Sequence, residues 1–326
     1  MTMSEEKPRL DSAVRAITDD GAFRVVAVRT TDTIQRMLEL QTHTSTSAQK
    51  LGELVTGAVL VRETMAPDYR LQALLRSRDN RFRFVADSHP DGGSRGLLTR
   101  VGTKAGEPHT EQQPADQTVG AAAISAPTPV HEPIEPFHSD AEFSLDGGTL
   151  EIVRTLYSGE LHRGVVAVSD GSGMSEALMT YLQTSEQVAS MLAVSCVLGE
   201  DKRVIAAGGY LVQLLPEVGR APLAIMAERL TDFRDISELL AKTDAAPSPL
   251  LDEILYGMPF TRLTEHPLTW KCRCSTVRVM SSLATLSRTD IAELIDDAKP
   301  IELSCDFCGH TYNIGPQQLA GLLDAS

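Results

Sequence analysis

The sequence contains few cysteines, lacks any long apolar run and has fewer basic than acidic residues. Its 326 residues include five cysteines, and 30 basic residues stand against 44 acidic ones. No apolar run approaches the roughly 20 residues of a membrane-spanning helix, and residues 1–12 lack the apolar core of a signal peptide. The net charge of −14 disfavours binding to nucleic-acid phosphates. We therefore expect a cytoplasmic protein that binds neither membranes nor nucleic acid. Clustered cysteines in that reducing compartment indicate metal or redox chemistry.

The common enzyme motifs are missing as well. The glycine-rich stretches at 91–96 and 170–173 match neither a P-loop nor a dinucleotide fingerprint, and no H-E-x-x-H pair occurs. The remaining enzymatic alternative is a thiol–disulfide oxidoreductase, which normally carries one C-x-x-C at the start of a helix. The sequence thus predicts a protein that is not an enzyme.

Composition divides the chain into segments. Residues 102–142 hold six of the 17 prolines and seven acidic residues against one basic residue, which predicts a disordered insertion. The remainder predicts an α+β fold in three parts. We expect a mixed sheet and helix N-terminal domain at 1–221 that carries the insertion, a helical linker at 222–266, and a small α+β zinc module at 267–326.

Local patterns place several elements. Strands are expected at 23–29, at 204–215, and at 69–75 and 81–87, where the last two pair through a turn at Asp79 and Asn80. Apolar spacing predicts helices at 48–61 and 172–185. The two halves that flank the insertion are expected to share one sheet system.

The linker carries an apolar stripe. Residues 222–257 are expected to be helical up to a break at 245–249, after which a short helix ends at Gly257. Spacings of four, three, three and four residues place five apolar side chains on one helix face: Met226, Leu230, Phe233, Ile236 and Leu240. The stripe must dock on another surface, either as an ordinary interdomain helix or as a releasable segment.

Four of the five cysteines cluster near the C-terminus. Cys272 and Cys274 form a C-x-C pair, Cys305 and Cys308 form a C-x-x-C pair, and 30 residues lie between Cys274 and Cys305. Two converging sulfur pairs make a tetrahedral Cys₄ site that favours Zn²⁺ and leaves no open position for catalysis. Helices at 275–283 and 287–298, strands at 301–304 and 311–314, and a terminal helix to 323 complete the module. Cys196 lies in the apolar run LAVSCVL and is expected to be a buried, inert thiol.

The role of the metal stays open at this point. Closed Cys₄ sites are usually structural, which favours a constitutive binding module. Basic residues near the first pair (Lys271, Arg273 and Arg278) favour a thiolate that oxidants attack, and thus a redox switch. A zinc-ribbon nucleic-acid binder is the third alternative, and it depends on a basic run formed by Arg70, Arg76, Arg78, Arg81 and Arg83.

The sequence resembles the thirty-three-kilodalton heat-shock chaperone family (HslO). The resemblance is carried by WKCRCSTVRVMSSLATLSRTDIAELI and IELSCDFCGHTYNI, and also by DGGSRG, YLQTSEQ and GGYLVQLLP. It covers nearly the whole chain except the first few residues and the insertion.

The resemblance implies a redox-regulated, ATP-independent holdase that binds unfolding client proteins under oxidative stress. In the reduced, inactive form one zinc ion per chain is bound by Cys272, Cys274, Cys305 and Cys308. Oxidation joins Cys272 to Cys274 and Cys305 to Cys308, releases zinc and unfolds the linker, and the oxidised form is expected to be a homodimer. The client surface, the physiological oxidant and the role of the insertion do not follow from the sequence.

Overall fold

The computed structural model describes residues 10–100 and 144–324, except 157, 217, 218 and 220. The insertion expected at 102–142 lies outside the described residues. The chain divides into two compact units, of which the first takes in residues up to Arg100 and from 144 to Cys272, and the second runs from Arg273 onward. Both units combine helices with strands, which confirms the predicted α+β class.

The first unit contains two sheets and several helices. Its strands are β1 (Ser12–Thr18), β2 (Phe23–Arg29), β3 (Arg70–Arg76), β4 (Phe82–Ser88), β5 (Gly93–Arg100), β6 (Thr149–Thr155), β7 (Leu161–Ala167), β8 (Ser190–Leu198), β9 (Val204–Leu214), β10 (Phe260–Pro267) and β11 (Thr269–Trp270). Its helices are α1 (Thr31–Leu38), α2 (Ser45–Glu63), α3 (Met174–Thr184), α4 (Ala221–Arg229), α5 (Ser237–Thr243) and α6 (Pro247–Ile254).

The strand orders are β10-β1-β2-β9-β8 in the first sheet and β11-β5-β4-β3-β6-β7 in the second. β5 precedes the undescribed segment and β6 follows it, and both lie in the second sheet, as expected for halves that share a sheet. β3 and β4 pair antiparallel, which confirms the predicted hairpin. Its turn contains Asn80 at φ 56°, a left-handed conformation that asparagine tolerates better than most residues.

Helix α2 packs against strands of both sheets. It begins with a capping box between Thr44 and Ser47, and apolar side chains on all its faces are buried. A helix that is apolar all round belongs in a core, so the single stripe expected for residues 48–61 describes only part of its buried surface. Gly52 lets strand β8 approach, since a Cβ there would lie 2.6 Å from the Cys196 Sγ.

The linker is more broken than the sequence pattern predicts. The expected long helix is interrupted by a 3₁₀ turn at Leu230–Phe233 and by the segment before α5. The Asp235 carboxylate accepts the backbone N–H of Ser237 at 3.0 Å, a local bond that competes with helix propagation. Asp244 and Ala245 both adopt positive φ and end α5.

The stripe residues point into the first unit. Met226, Leu230, Ile236 and Leu240 are buried among apolar residues of β1, β2, β8 and β9, and Phe233 packs against them partly buried. The Tyr210 hydroxyl on β9 donates to the Phe233 carbonyl at 3.0 Å. The linker is therefore docked on one face of the first sheet.

The second unit follows its sequence signals closely. It contains α7 (Thr276–Leu283), α8 (Arg288–Asp296), β12 (Ile301–Ser304), β13 (Thr311–Ile314) and α9 (Pro316–Asp324). A capping box between Ser287 and Asp290 starts α8, close to the predicted start of this helix at 287. The apolar core of this unit is small: only Leu283, Ile291, Ile314 and Leu319 are buried in its described cluster.

Candidate metal centre

The second cysteine pair lies on the turn of the β12–β13 hairpin. The Cys305 N–H donates to the His310 carbonyl at 2.9 Å, and the Gly309 N–H donates back to the Cys305 carbonyl at 2.7 Å. Gly309 has φ 69°, a left-handed conformation that glycine adopts without steric cost. This closed turn brings Cys305 and Cys308 to one side of the hairpin tip.

The first pair lies between a strand and a helix. Cys272 follows β11, whose pairing with β5 extends to a bond from the Lys271 N–H to the Ser94 carbonyl at 3.0 Å. Cys274 precedes Ser275, whose side chain caps α7 by accepting the Arg278 N–H at 3.3 Å. The strand pairing before the C-x-C segment and the helix after it thus restrict the backbone conformations that the segment can adopt.

The four sulfurs converge. The Sγ atoms of Cys272, Cys274, Cys305 and Cys308 all lie within 4.8 Å of one another, and those of Cys274 and Cys308 are 3.5 Å apart. Tetrahedral zinc with Zn–S bonds of about 2.3 Å places its sulfurs about 3.8 Å apart, so these separations fit one metal ion. All four cysteines are free of disulfide bonds to other described residues, and all are partly exposed. The arrangement fits a closed Cys₄ metal site.

Two neighbouring side chains hydrogen-bond to the ligand sulfurs. The Arg95 Nη1 lies 3.9 Å from the Cys272 Sγ, and the same guanidinium binds Asp87. Tyr312 on β13 hydrogen-bonds to Cys274, and this bond is the main reason that the pKa of Tyr312 rises to about 12. His310 packs edge-on against the Tyr312 ring, with a centroid distance of 4.7 Å.

The basic residues expected near the first pair are already engaged in part. The Lys271 ammonium binds the Asp91 carboxylate at 2.9 Å. Sequence reasoning missed Arg95, although it lies within the DGGSRG motif at 91–96. The sequence does show a charged residue between small residues, which marks Arg95 as unusual. Its partner Asp87 becomes apparent only from the sheet register.

Cys196 lies away from this centre, in the core of the first unit. It is 2 % exposed, as predicted for an inert thiol. Burial raises its pKa to about 12, with a further contribution from Glu53. A thiol with so high a pKa stays protonated at neutral pH and reacts slowly with oxidants.

The basic run on the β3–β4 hairpin is largely neutralised. Arg70 binds Asp87 at 2.9 Å, Arg76 lies 3.7 Å from Glu151, and Arg81 binds Asp79. These ion pairs weaken the case for a nucleic-acid surface. No helix in the described part of the chain has both the length and the apolarity needed to cross a bilayer.

Comparison with known proteins settles the family. The model of the family described as Hsp33 protein matches residues 11–315. The chain belongs to the Hsp33 family. A 33 kDa chaperonin of Syntrophotalea carbinolica is 29% identical over 313 residues, covering 96% of this chain and 99% of its own. One from Symbiobacterium thermophilum is 28% identical, covering 95% and 96%.

The fold of this Hsp33 protein also matches a solved structure. The crystal structure of a 33 kDa chaperonin from Thermotoga maritima superposes with a TM-score of 0.72 at 20% identity, covering 97% of this chain and 99% of that one. The family is one of chaperones, and this chain is a chaperone by membership.

Proposed function

We propose that this Hsp33 protein is a redox-regulated, ATP-independent holdase of the cytoplasm, which binds unfolding proteins under oxidative stress. The observation that carries the proposal is the convergence of four free cysteine sulfurs within 4.8 Å, from two pairs that are separated by 30 residues of sequence. A switch requires thiols that can both bind a metal and form disulfides with their near neighbours, and the proximity of these four sulfurs supports both requirements.

In the reduced form, Cys272, Cys274, Cys305 and Cys308 hold one zinc ion per chain. The bound metal supplies folding free energy, because it ties together segments that the unfolded chain leaves apart. We expect the second unit to depend on this contribution, since its described apolar cluster has only four buried side chains, each 9% exposed or less. A core of that size rarely stabilises a module without a metal or disulfide.

In the oxidised form, Cys272 pairs with Cys274 and Cys305 pairs with Cys308. Each disulfide forms as two thiols lose two electrons and two protons to one peroxide molecule, which becomes two water molecules. Disulfide sulfurs no longer serve as thiolate ligands, so the metal leaves. The second unit then loses its main source of stability.

The linker is the segment that converts this change into client binding. The segment from α4 to α5 covers the first sheet through four buried side chains of the stripe: Met226, Leu230, Ile236 and Leu240. When the linker unfolds, these side chains and the sheet face beneath them become available to apolar segments of clients. The oxidised protein acts as a homodimer.

The proposal is tested by zinc content and chaperone activity in reduced and oxidised protein. We expect about one zinc ion per chain in reduced protein and none after peroxide treatment at a mildly unfolding temperature. The oxidised sample should suppress aggregation of a chemically unfolded client without ATP, and re-reduction with zinc should abolish that activity. Equal suppression before and after zinc release would contradict the proposal.

A further inference from the structure

A row of polar side chains crosses the second sheet. Asp87 on β4 is fully buried and faces Arg95 on β5 and Gln72 on β3 in register. Its carboxylate accepts from Arg95 at 2.7 and 2.8 Å, and from Gln72 and Arg70 at 2.9 Å each. A buried carboxylate is costly unless positive charges and hydrogen-bond donors compensate its lost hydration, so these side chains are held in a single arrangement.

The row continues from Arg95 towards the first metal ligand. β11 pairs with β5 so that Trp270 lies beside Ser94. Arg95 is the next residue of β5, and Lys271 and then Cys272 follow the end of β11. The Arg95 side chain is only 10% exposed, and its Nη1 lies 3.9 Å from the Cys272 Sγ. One guanidinium thus binds Asp87 on one side and faces the ligand sulfur on the other.

The Asp87 bonds hold the Arg95 guanidinium in place. If it turned away from Cys272, a fully buried carboxylate would lose two charge-assisted hydrogen bonds. A held donor beside a metal-bound thiolate orients the sulfur and balances part of the negative charge of a Cys₄ site. Outer partners of this kind commonly alter metal affinity 10- to 100-fold.

We propose that Arg95 is a positioning residue for the metal centre, whose guanidinium, held by Asp87, keeps the Cys272 sulfur in its ligand position and slows loss of the metal. The inference rests on the proposed function, since it assumes that Cys272 binds zinc. It adds a residue of the first unit to the determinants of zinc retention.

The test is the rate of zinc transfer to a coloured chelator from reduced full-length protein. We expect Arg95→Met to release zinc about 10- to 100-fold faster than wild type. Arg95→Lys, which retains a positive charge but not the planar donor pair, should lie between the two. Arg70→Met is the matched control, because it removes a bond to the same Asp87 carboxylate from β3, on the far side of β4.

Arg70→Met should release zinc at close to the wild-type rate. The inference is overturned if Arg95→Met releases zinc at the wild-type rate, or if Arg70→Met accelerates release equally, which would indicate general weakening of the sheet. Fluorescence of Trp270, the one tryptophan, reports whether β11 stays packed in each variant. If Arg95→Met does not fold, Arg95→Lys takes its place: faster zinc release from Arg95→Lys than from Arg70→Met supports the inference, and equal rates overturn it. Wild-type protein that holds no zinc refutes the proposed function itself.

Discussion

Weakening the docked linker should activate the chaperone without oxidation. Leu240 on α5 is completely buried against the first sheet, and its Cδ2 lies 3.4 Å from the position that a Cβ on Gly208 would take. Leu240→Ala leaves a cavity at this contact. Such substitutions cost about 2–5 kcal/mol.

The lost packing destabilises the docked linker relative to the undocked linker. At about 1.4 kcal/mol for each factor of ten, the undocked population rises about 30-fold to several thousandfold. Reduced Leu240→Ala protein should therefore suppress aggregation of a heat-unfolded client while it keeps its zinc. Limited proteolysis should cut within residues 222–257 faster in reduced Leu240→Ala protein than in reduced wild type.

Leu75→Ala is the matched control, because Leu75 on β3 is equally buried but lies in the other core cluster, remote from the linker. It should lower the unfolding temperature by a similar amount without activating the reduced protein. The reasoning is refuted if Leu240→Ala destabilises the protein but stays inactive when reduced, or if Leu75→Ala activates it equally.

Three further variants test other parts of the account. Cys196→Ala should keep peroxide activation, measured by aggregation suppression, because the switch does not use this buried thiol; an inactive variant would relocate the redox centre. Gly52→Ala should lose about 1–3 kcal/mol in urea unfolding, since its methyl group would lie 2.6 Å from the Cys196 Sγ. Adding Cys196→Ala should recover part of that loss, and no recovery would contradict the contact. Burial raises the pKa of Glu63, but His266, Arg62 and Arg15 outweigh it and lower the value. Glu63 therefore stabilises the fold above its unfolded pKa of about 4, and this stability is lost as the pH falls through the folded value. Urea unfolding between about pH 6 and pH 3 should lose stability more steeply in wild type than in Glu63→Gln; parallel curves would refute this.

Local signals explain why the second unit could be predicted closely. The capping box of Ser287, the positive φ of Gly309 and the spacing of the cysteines each act within a few residues. Because the residues involved are close in sequence, such signals can be recognised without knowledge of the tertiary fold. The helices and the hairpin therefore followed from the sequence with small errors at their ends.

Non-local pairing explains what the sequence did not predict. β10 is an edge strand that pairs with β1 across about 250 residues, and most of its residues are exposed, so it shows no alternating pattern. Neither β1, β10 nor β11 was predicted. Arg95 was missed for the same reason, because its partners Asp87 and Cys272 come from β4 and from the residues after β11.

The linker shows a third reason why the structure differs from the sequence-based prediction. Its apolar spacing predicts one long helix, and the same residues are buried, but the backbone reaches that burial through shorter pieces. Asp235 accepts a local bond from the Ser237 backbone N–H where the helix should continue, whereas the positive φ of Asp244 lies next to the break expected at 245–249. Packing on the first sheet therefore keeps the stripe residues buried, although the helix that would carry them is interrupted.

The central claim is that zinc release and chaperone activation are one event. The most direct measurement follows both in the same sample, with a zinc-sensitive dye and light scattering of an unfolding client, while peroxide acts at a mildly unfolding temperature. The account predicts that suppression of scattering grows in step with the release of about one zinc ion per chain, and that both stop when peroxide is removed early. Full suppression while the zinc is still bound, or full release without suppression, would contradict it.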